Sequence, residues 1–243
     1  MSTTTTESHT QHISQQFNKD LSELRNHLLT MGGIVQKQIS DAVESLISNN
    51  SELAANVQDK ENDVDAMEMM IDEDCTQLIA RRQPAASDLR LVISIIKMVS
   101  DLERMGDEAS KIAKMAIRLT EEGKAPRGYV EVRHISDHVA DMVNGALDAF
   151  ARLDADVALD IIKEDHAVDA EYKSAIRSLM TFMMEDPRSI SQIHSVMWVL
   201  RALERIGDHA CNIAEHVIYI AKGEDVRHMS VTKAKELLEQ AKR

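Results

Sequence analysis

Leu102-Glu103-Arg104-Met105-Gly106-Asp107 and Leu203-Glu204-Arg205-Ile206-Gly207-Asp208 are the same six-residue pattern written twice, 101 residues apart. The alignment continues through Ala109/Ala210, Ile112/Ile213 and Ala113/Ala214 at the same offset. Upstream, Val35/Val139, Ala42/Ala146 and Val64/Val168 align at an offset of 104. The three-residue change falls near Pro84 and Pro187, where a loop belongs. A period of this size means that one folding unit is present in two copies.

Around the motif the apolar residues keep a 4,3 spacing. In copy one the row is Leu91, Ile95, Met98, Leu102, Met105, Ala109, Ile112, Ala116, Leu119. In copy two it is Val196, Val199, Leu203, Ile206, Ala210, Ile213, Val217, Ile220. Such a seam belongs to a long helix in a bundle. Elsewhere the chain is punctuated only by three prolines and eight glycines. Gly123 and Gly223 stand where C-terminal helix caps are expected. The spacing predicts six long helices over about 15–49, 52–82, 87–122, 129–153, 155–184 and 189–222. The expected fold class is all-α: two tandem pseudo-symmetric three-helix bundles. The first spans 14–124 and the second 125–223, flanked by tails at 1–13 and 224–243, the latter ending in a short helix.

Composition agrees. The 243 residues include three Phe, three Tyr and one Trp, too few β-formers for a sandwich or barrel. An apolar content of 44% is too high for a disordered acidic chain. The formal charge of −13 argues against a nucleic-acid or anionic-lipid surface. Cys75 and Cys211 form no CxxC pattern, so neither a disulfide scaffold nor a cysteine zinc site is expected. Met1–Gln16 lacks the apolar core of a signal peptide, and no stretch of about 18 apolar residues occurs. The expectation is a soluble protein of a reducing compartment.

The acids carry the chemistry. Glu103/Asp107 and Glu204/Asp208 are i,i+4 pairs, and the second helix of each copy has another, Glu61/Asp65 and Asp165/Asp169. Chance alone supplies about seven acidic i,i+4 pairs at this composition. The information is their recurrence at matching positions of both copies. Glu61 and Asp165 interrupt the apolar rows Val57–Val64–Ile71 and Ile161–Val168–Ala175. At about 100° per residue, Glu103 and Asp107 point away from their own seam. One reading is a solvated acidic face. The other is a cation site, since carboxylates on facing helices suit divalent or ferric ions. Copy one extends its acids through Glu68 and Asp72, where copy two has Tyr172 and Ile176, so two such sites would differ. No HExxH, P-loop, dinucleotide or GxSxG motif is present. The Glu131–His134 spacing reads as accidental. His209 and His216 read as surface residues or outer ligands. The methionines, among them Met67, Met69, Met70, Met180, Met183 and Met184, read as seam filler or an adaptable partner surface.

Several segments together resemble the PhoU family of bacterial phosphate-uptake regulators. They are Met31-Gly32-Gly33, Met67-Glu68 with Ile71-Asp72-Glu73, and Arg82-Gln83-Pro84-Ala85-Ala86-Ser87-Asp88-Leu89-Arg90. The two Leu-Glu-Arg-x-Gly-Asp motifs and Asp225-Val226-Arg227-His228 complete the resemblance. It implies a non-enzymatic signalling adaptor that represses the phosphate regulon when phosphate is plentiful. The implied partners are the ATPase subunit of the phosphate ABC transporter and a phosphate-sensing histidine kinase. It also implies a homodimer in the cytoplasm, at the inner membrane only through those partners. Metal-binding E/D-x-x-x-D motifs of such proteins match Glu61, Asp65, Glu103, Asp107, Asp165, Asp169, Glu204 and Asp208. The ion would be iron, manganese, magnesium, zinc or nickel. A di-metal carboxylate-bundle enzyme and a purely structural acidic bundle are the alternatives.

Overall fold

The computed structural model describes residues 4–240, and within them the chain is helical between short connections. The first bundle holds α1 (Thr4–Ser48), α2 (Ser51–Asp59), α3 (Glu61–Arg82) and α4 (Ala86–Glu122). The second holds α5 (Tyr129–Arg152), α6 (Ala155–Glu185) and, after a 3-10 turn at Pro187–Ser189, α7 (Ile190–Lys222). A short α8 (Val231–Gln240) lays Ala234 and Leu238 against the molecule. All seventeen seam residues of the third helices are buried, so both 4,3 rows face bundle cores.

The duplication reaches the backbone. Asn49 and Leu153 both adopt left-handed φ, 58° and 52°, and end α1 and α5. The next residue caps the next helix in each copy. The Asn50 side chain accepts from Leu53 N at 3.0 Å, and Asp154 accepts from Asp156 N and Val157 N. A short polar side chain at this position satisfies amides that the first helical turn leaves free.

Two boundaries differ from the sequence expectation. The N-terminal stretch expected as a tail over 1–13 is helical from Thr4, while residues 1–3 lie outside the described residues. Its polar residues give no apolar period, yet no Pro or Gly breaks the backbone ladder either. The helix expected over 52–82 is divided at Lys60. Between buried Val57 and Val64 the sequence Gln58-Asp59-Lys60-Glu61-Asn62-Asp63 offers no apolar side chain to hold that turn to the core. In copy two Ile162 packs on the core at this level, and α6 runs through.

α4 and α7 join the bundles, packing antiparallel along most of their length. Ser94, Asp101 and Glu108 on α4 and Ser195, Ala202 and His209 on α7 form equivalent buried rows on this side. Asp101 Oδ1 lies 2.9 Å from His209 Nδ1 and accepts from Asn212 Nδ2 at 3.1 Å. Glu108 pairs with Arg205 at 3.0 Å. His209 and His216 are therefore buried, not the surface residues expected. Both stand on a polar row that apolar periodicity does not detect.

The glycines separate two constraints. Gly207 sits within α7, where an added Cβ would lie 3.6 Å from Val168, an ordinary contact. Gly128 has φ +105° at the start of α5, and its Cβ would meet Val196 at 2.5 Å. In chemical denaturation Gly207→Ala is expected to be neutral or to stabilise by up to about 1 kcal/mol. Gly128→Ala is expected to destabilise by at least about 1 kcal/mol. Equal effects would contradict the packing described.

Candidate metal-binding grooves

The eight acids singled out in the sequence lie in two grooves, each between the second and third helix of its bundle. Gly106 and Gly207 face Val64 and Val168 beside the acids; a Cβ added at either would lie 3.5 or 3.6 Å from its valine, an ordinary contact.

In the first groove Glu61, Asp65 and Glu68 on α3 stand opposite Glu103 and Asp107 on α4. Hydroxyls from α4 span the gap: Ser110 Oγ donates to Glu61 Oε2 at 2.8 Å and Ser100 Oγ to Glu68 Oε1 at 3.0 Å. Burial, and then the neighbouring charges of Asp107, Glu68 and Asp65, push the Glu103 carboxyl above its ordinary range. Asp107 is also raised, by burial above all; Lys111 opposes, while Glu61 and Asp65 add to the rise. Farther along α3, burial raises Asp72, and its Oδ1 has no hydrogen-bond partner among the described residues.

The second groove sets Asp165 and Asp169 on α6 against Glu204 and Asp208 on α7. Asp165 is raised by burial, then by Asp208 and Asp169. Glu204 is raised by burial and then by Asp208, against the pull of Arg201. Asp208 is raised by burial, with Arg201 opposing and Asp169 adding. Here cations do the bracing: Lys173 bonds Asp169 and Arg201 bonds Glu204 Oε1, each at 2.6 Å. Glu204 is 8% exposed, and its Oε2 has no hydrogen-bond partner among the described residues. The bracing residues Ser100, Ser110, Lys173 and Arg201 did not stand out in the sequence; only their spacing from the acids marks them.

Clustered, partly desolvated carboxylates with raised pKa values repel one another and would gain from a hard cation. Glu204 Oε2 is buried with no hydrogen-bond partner among the described residues, and carboxylate oxygens are the donors such an ion takes. Among the described residues no three His, Cys, Asp or Glu side chains are gathered closely enough to chelate an ion as they stand. The grooves are open acidic clefts and not closed cages. His209, a possible outer ligand from sequence, is engaged with Asp101. His134 pairs with Glu171 at 3.4 Å, away from both grooves, as an accidental spacing would. Neither cysteine offers a thiolate: burial pushes Cys75 up to about 12 and Cys211 higher still.

The PhoU domain matches the chain twice, over residues 28–116 and 132–217, and the two matches contain all eight acids. The chain is 62% identical over 225 residues to the phosphate-specific transport system accessory protein PhoU homolog of Pseudomonas putida, covering 93% of this chain and 88% of that protein. It is 43% identical over 227 residues to the phosphate-specific transport system accessory protein PhoU of Escherichia coli, covering 93% and 94%. The fold matches the crystal structure of PhoU from Pseudomonas aeruginosa with a TM-score of 0.84 and 60% identity, over 86% of this chain and all of that one. The phosphate transport system regulatory protein PhoU from Streptococcus pneumoniae matches with a TM-score of 0.80 and 31% identity, over 86% and 99%.

The raised carboxyls fix the sign of a pH effect. A group whose pKa is higher in the folded chain favours the fold while protonated. That contribution is lost as pH rises through the folded value. Metal-free protein should therefore lose stability as pH rises out of the ordinary carboxylate range. Glu103→Gln removes one such group, so it should raise the metal-free Tm at pH 7, by a few tenths of a kcal/mol in stability. The gain should vanish by about pH 3, well below the ordinary glutamate value. Thermal unfolding across this range in chelator checks it; a gain that grows toward acid would be the wrong sign.

Proposed function

This chain belongs to the PhoU family, and from that premise we propose that it is a non-enzymatic signalling adaptor. It couples the phosphate ABC transporter, through the ATPase subunit, to the phosphate-sensing histidine kinase. In that state it represses the phosphate regulon when phosphate is plentiful and moderates uptake. The observation that carries the reading is the double PhoU match across both bundles, joined to relatives whose names place them in the phosphate-specific transport system.

The molecule's surface suits an adaptor. No described helix is long and apolar enough to cross a membrane, so contact with the transporter runs through protein surfaces. Met180 and Met184 on α6 are 51% and 76% exposed, and Met69 and Met70 on α3 are also exposed. Flexible thioethers of this kind adapt to a partner's shape. A homodimer and a position at the inner membrane through these partners belong to the same proposal. Deleting the gene should derepress alkaline phosphatase in high phosphate, and the wild-type gene should restore repression. Unchanged reporter activity would remove the regulatory role.

A second proposal concerns the grooves. Glu61, Asp65, Glu103 and Asp107 in one, and Asp165, Asp169, Glu204 and Asp208 in the other, would hold iron, manganese, magnesium, zinc or nickel. The unpartnered Glu204 Oε2 favours this over a merely solvated acidic face. A bound ion would neutralise the clustered charge and stiffen the second helix against the third. Protein purified without chelator should carry metal by elemental analysis, and Glu103→Ala with Glu204→Ala should remove it. Metal-free wild type would leave the acids as a structural face. Turnover of oxygen or phosphoesters by loaded protein would favour the di-metal enzyme over the adaptor.

A further inference from the structure

The groove between α4 and α7 has two halves related by the internal repeat, and they have diverged. In one half Asp101 is closed off by His209 and Asn212. The other half is a cavity of about 250 Å³ lined by Lys111, Lys114, Arg201, Arg205, Met115 and Trp198 over the floor carboxylate of Glu108. Position by position, Lys111 replaces Asn212, Lys114 replaces Glu215, and Trp198 stands where copy one has Lys97. A chain of net charge −13 thus gathers four cations at one mouth.

Those cations are unevenly paired. Glu108, 3% exposed, is shared by Lys111 at 3.1 Å and Arg205 at 3.0 Å. Arg201 bonds Glu204. Lys114 is exposed and makes no ion pair among the described residues. Asp107 near Lys111 and Asp208 near Arg201 and Arg205 bring the neighbouring carboxylates to four, so Lys114 is the cation of the mouth left outside these pairings. Beside it Trp198 is 56% exposed, its ring edge-to-face with His194 at 6.1 Å. An indole so exposed next to guanidinium and ammonium groups is a stacking platform beside an anion cradle. The cavity is smaller than the usual 300–1,000 Å³ of a whole-ligand pocket. It has room for phosphoryl groups, with the rest of a ligand outside, against the indole.

We propose that the α4/α7 cavity binds a phosphate-bearing anion, held by Lys111, Lys114, Arg201 and Arg205, with Trp198 as the platform for what the phosphate carries. Guanidinium and ammonium groups supply charge-assisted hydrogen bonds to phosphate oxygens. The buried Glu108 fixes Arg205 and Lys111 in place. This cavity lies between α4 and α7 and shares Arg201 with the second acidic groove, where that residue bonds Glu204.

Trp198 is the sole tryptophan of the chain, so its fluorescence reports on the cavity directly. Full-length protein is titrated with inorganic phosphate and with ATP, against chloride at matched ionic strength, and the same titrations are followed by calorimetry. The expected result is saturable binding below about 1 mM for at least one of the two, a range within which specific small-ligand recognition is measurable. Saturation by phosphate means that the anion suffices; saturation by ATP alone means that the ring on Trp198 is needed. Lys111→Gln with Lys114→Gln should weaken binding at least tenfold, while Lys233→Gln with Lys235→Gln on α8 leaves it unchanged. Circular dichroism confirms that both variants fold. No saturation with either ligand, or equal weakening in both variants, overturns the proposal. So does a Trp198 signal that follows protein concentration alone, which would mean that a second copy covers this face.

Discussion

Helices α4 and α7 each serve two interfaces. One face of each lies in its own bundle core, and the other meets its partner helix through buried polar groups. Asp101 and Glu108 are 5% and 3% exposed, and each finds its partner on α7. A buried carboxylate stripped of its partner costs about 3–5 kcal/mol. A slip of one helical turn between α4 and α7 would strand Asp101 and leave Glu108 with Lys111 of its own helix. The contact therefore fixes the register of the two bundles, and with it the place of every groove on the molecule. The acid clefts lie on the bundle side of this pair and the cation cavity lies between its members.

Periodicity revealed what periodicity can carry. The apolar rows of the third helices face the cores residue by residue, and the repeated turns at Asn49-Asn50 and Leu153-Asp154 follow the offset found upstream. The acid pairs meet across the clefts, with glycine facing valine between them at matching positions of both copies. The break at Lys60 was hidden because a polar run is compatible with an exposed helix as well as with a kink. The burial of His209 and His216 was hidden for a related reason. Their row is polar, so its partner, Asp101, sits in a distant segment that no local spacing identifies. The braces Arg201, Lys173, Ser100 and Ser110 look like ordinary surface residues until the helices are side by side.

Charge is sorted by this geometry. The acids gather where two helices of one bundle meet, and burial with mutual repulsion raises their carboxyls. The cations Arg201 and Arg205 stand between an acid cleft and the cation cavity, with Arg201 tied to Glu204 and Arg205 to Glu108. A net charge of −13 describes the sum and conceals the arrangement. The two copies began with the same pattern and differ in what fills it: hydroxyl braces in the first cleft, cationic braces in the second.

The proposed adaptor works by contact of this duplicated bundle with the transport machinery and its sensor. Crosslinking of the intact complex, in cells grown in high and in low phosphate, tests it most directly. Crosslinks are expected from the exposed faces of α3 and α6 to the transporter ATPase or the kinase, with a pattern that changes between the two conditions. Recovery of neither partner in either condition would contradict it.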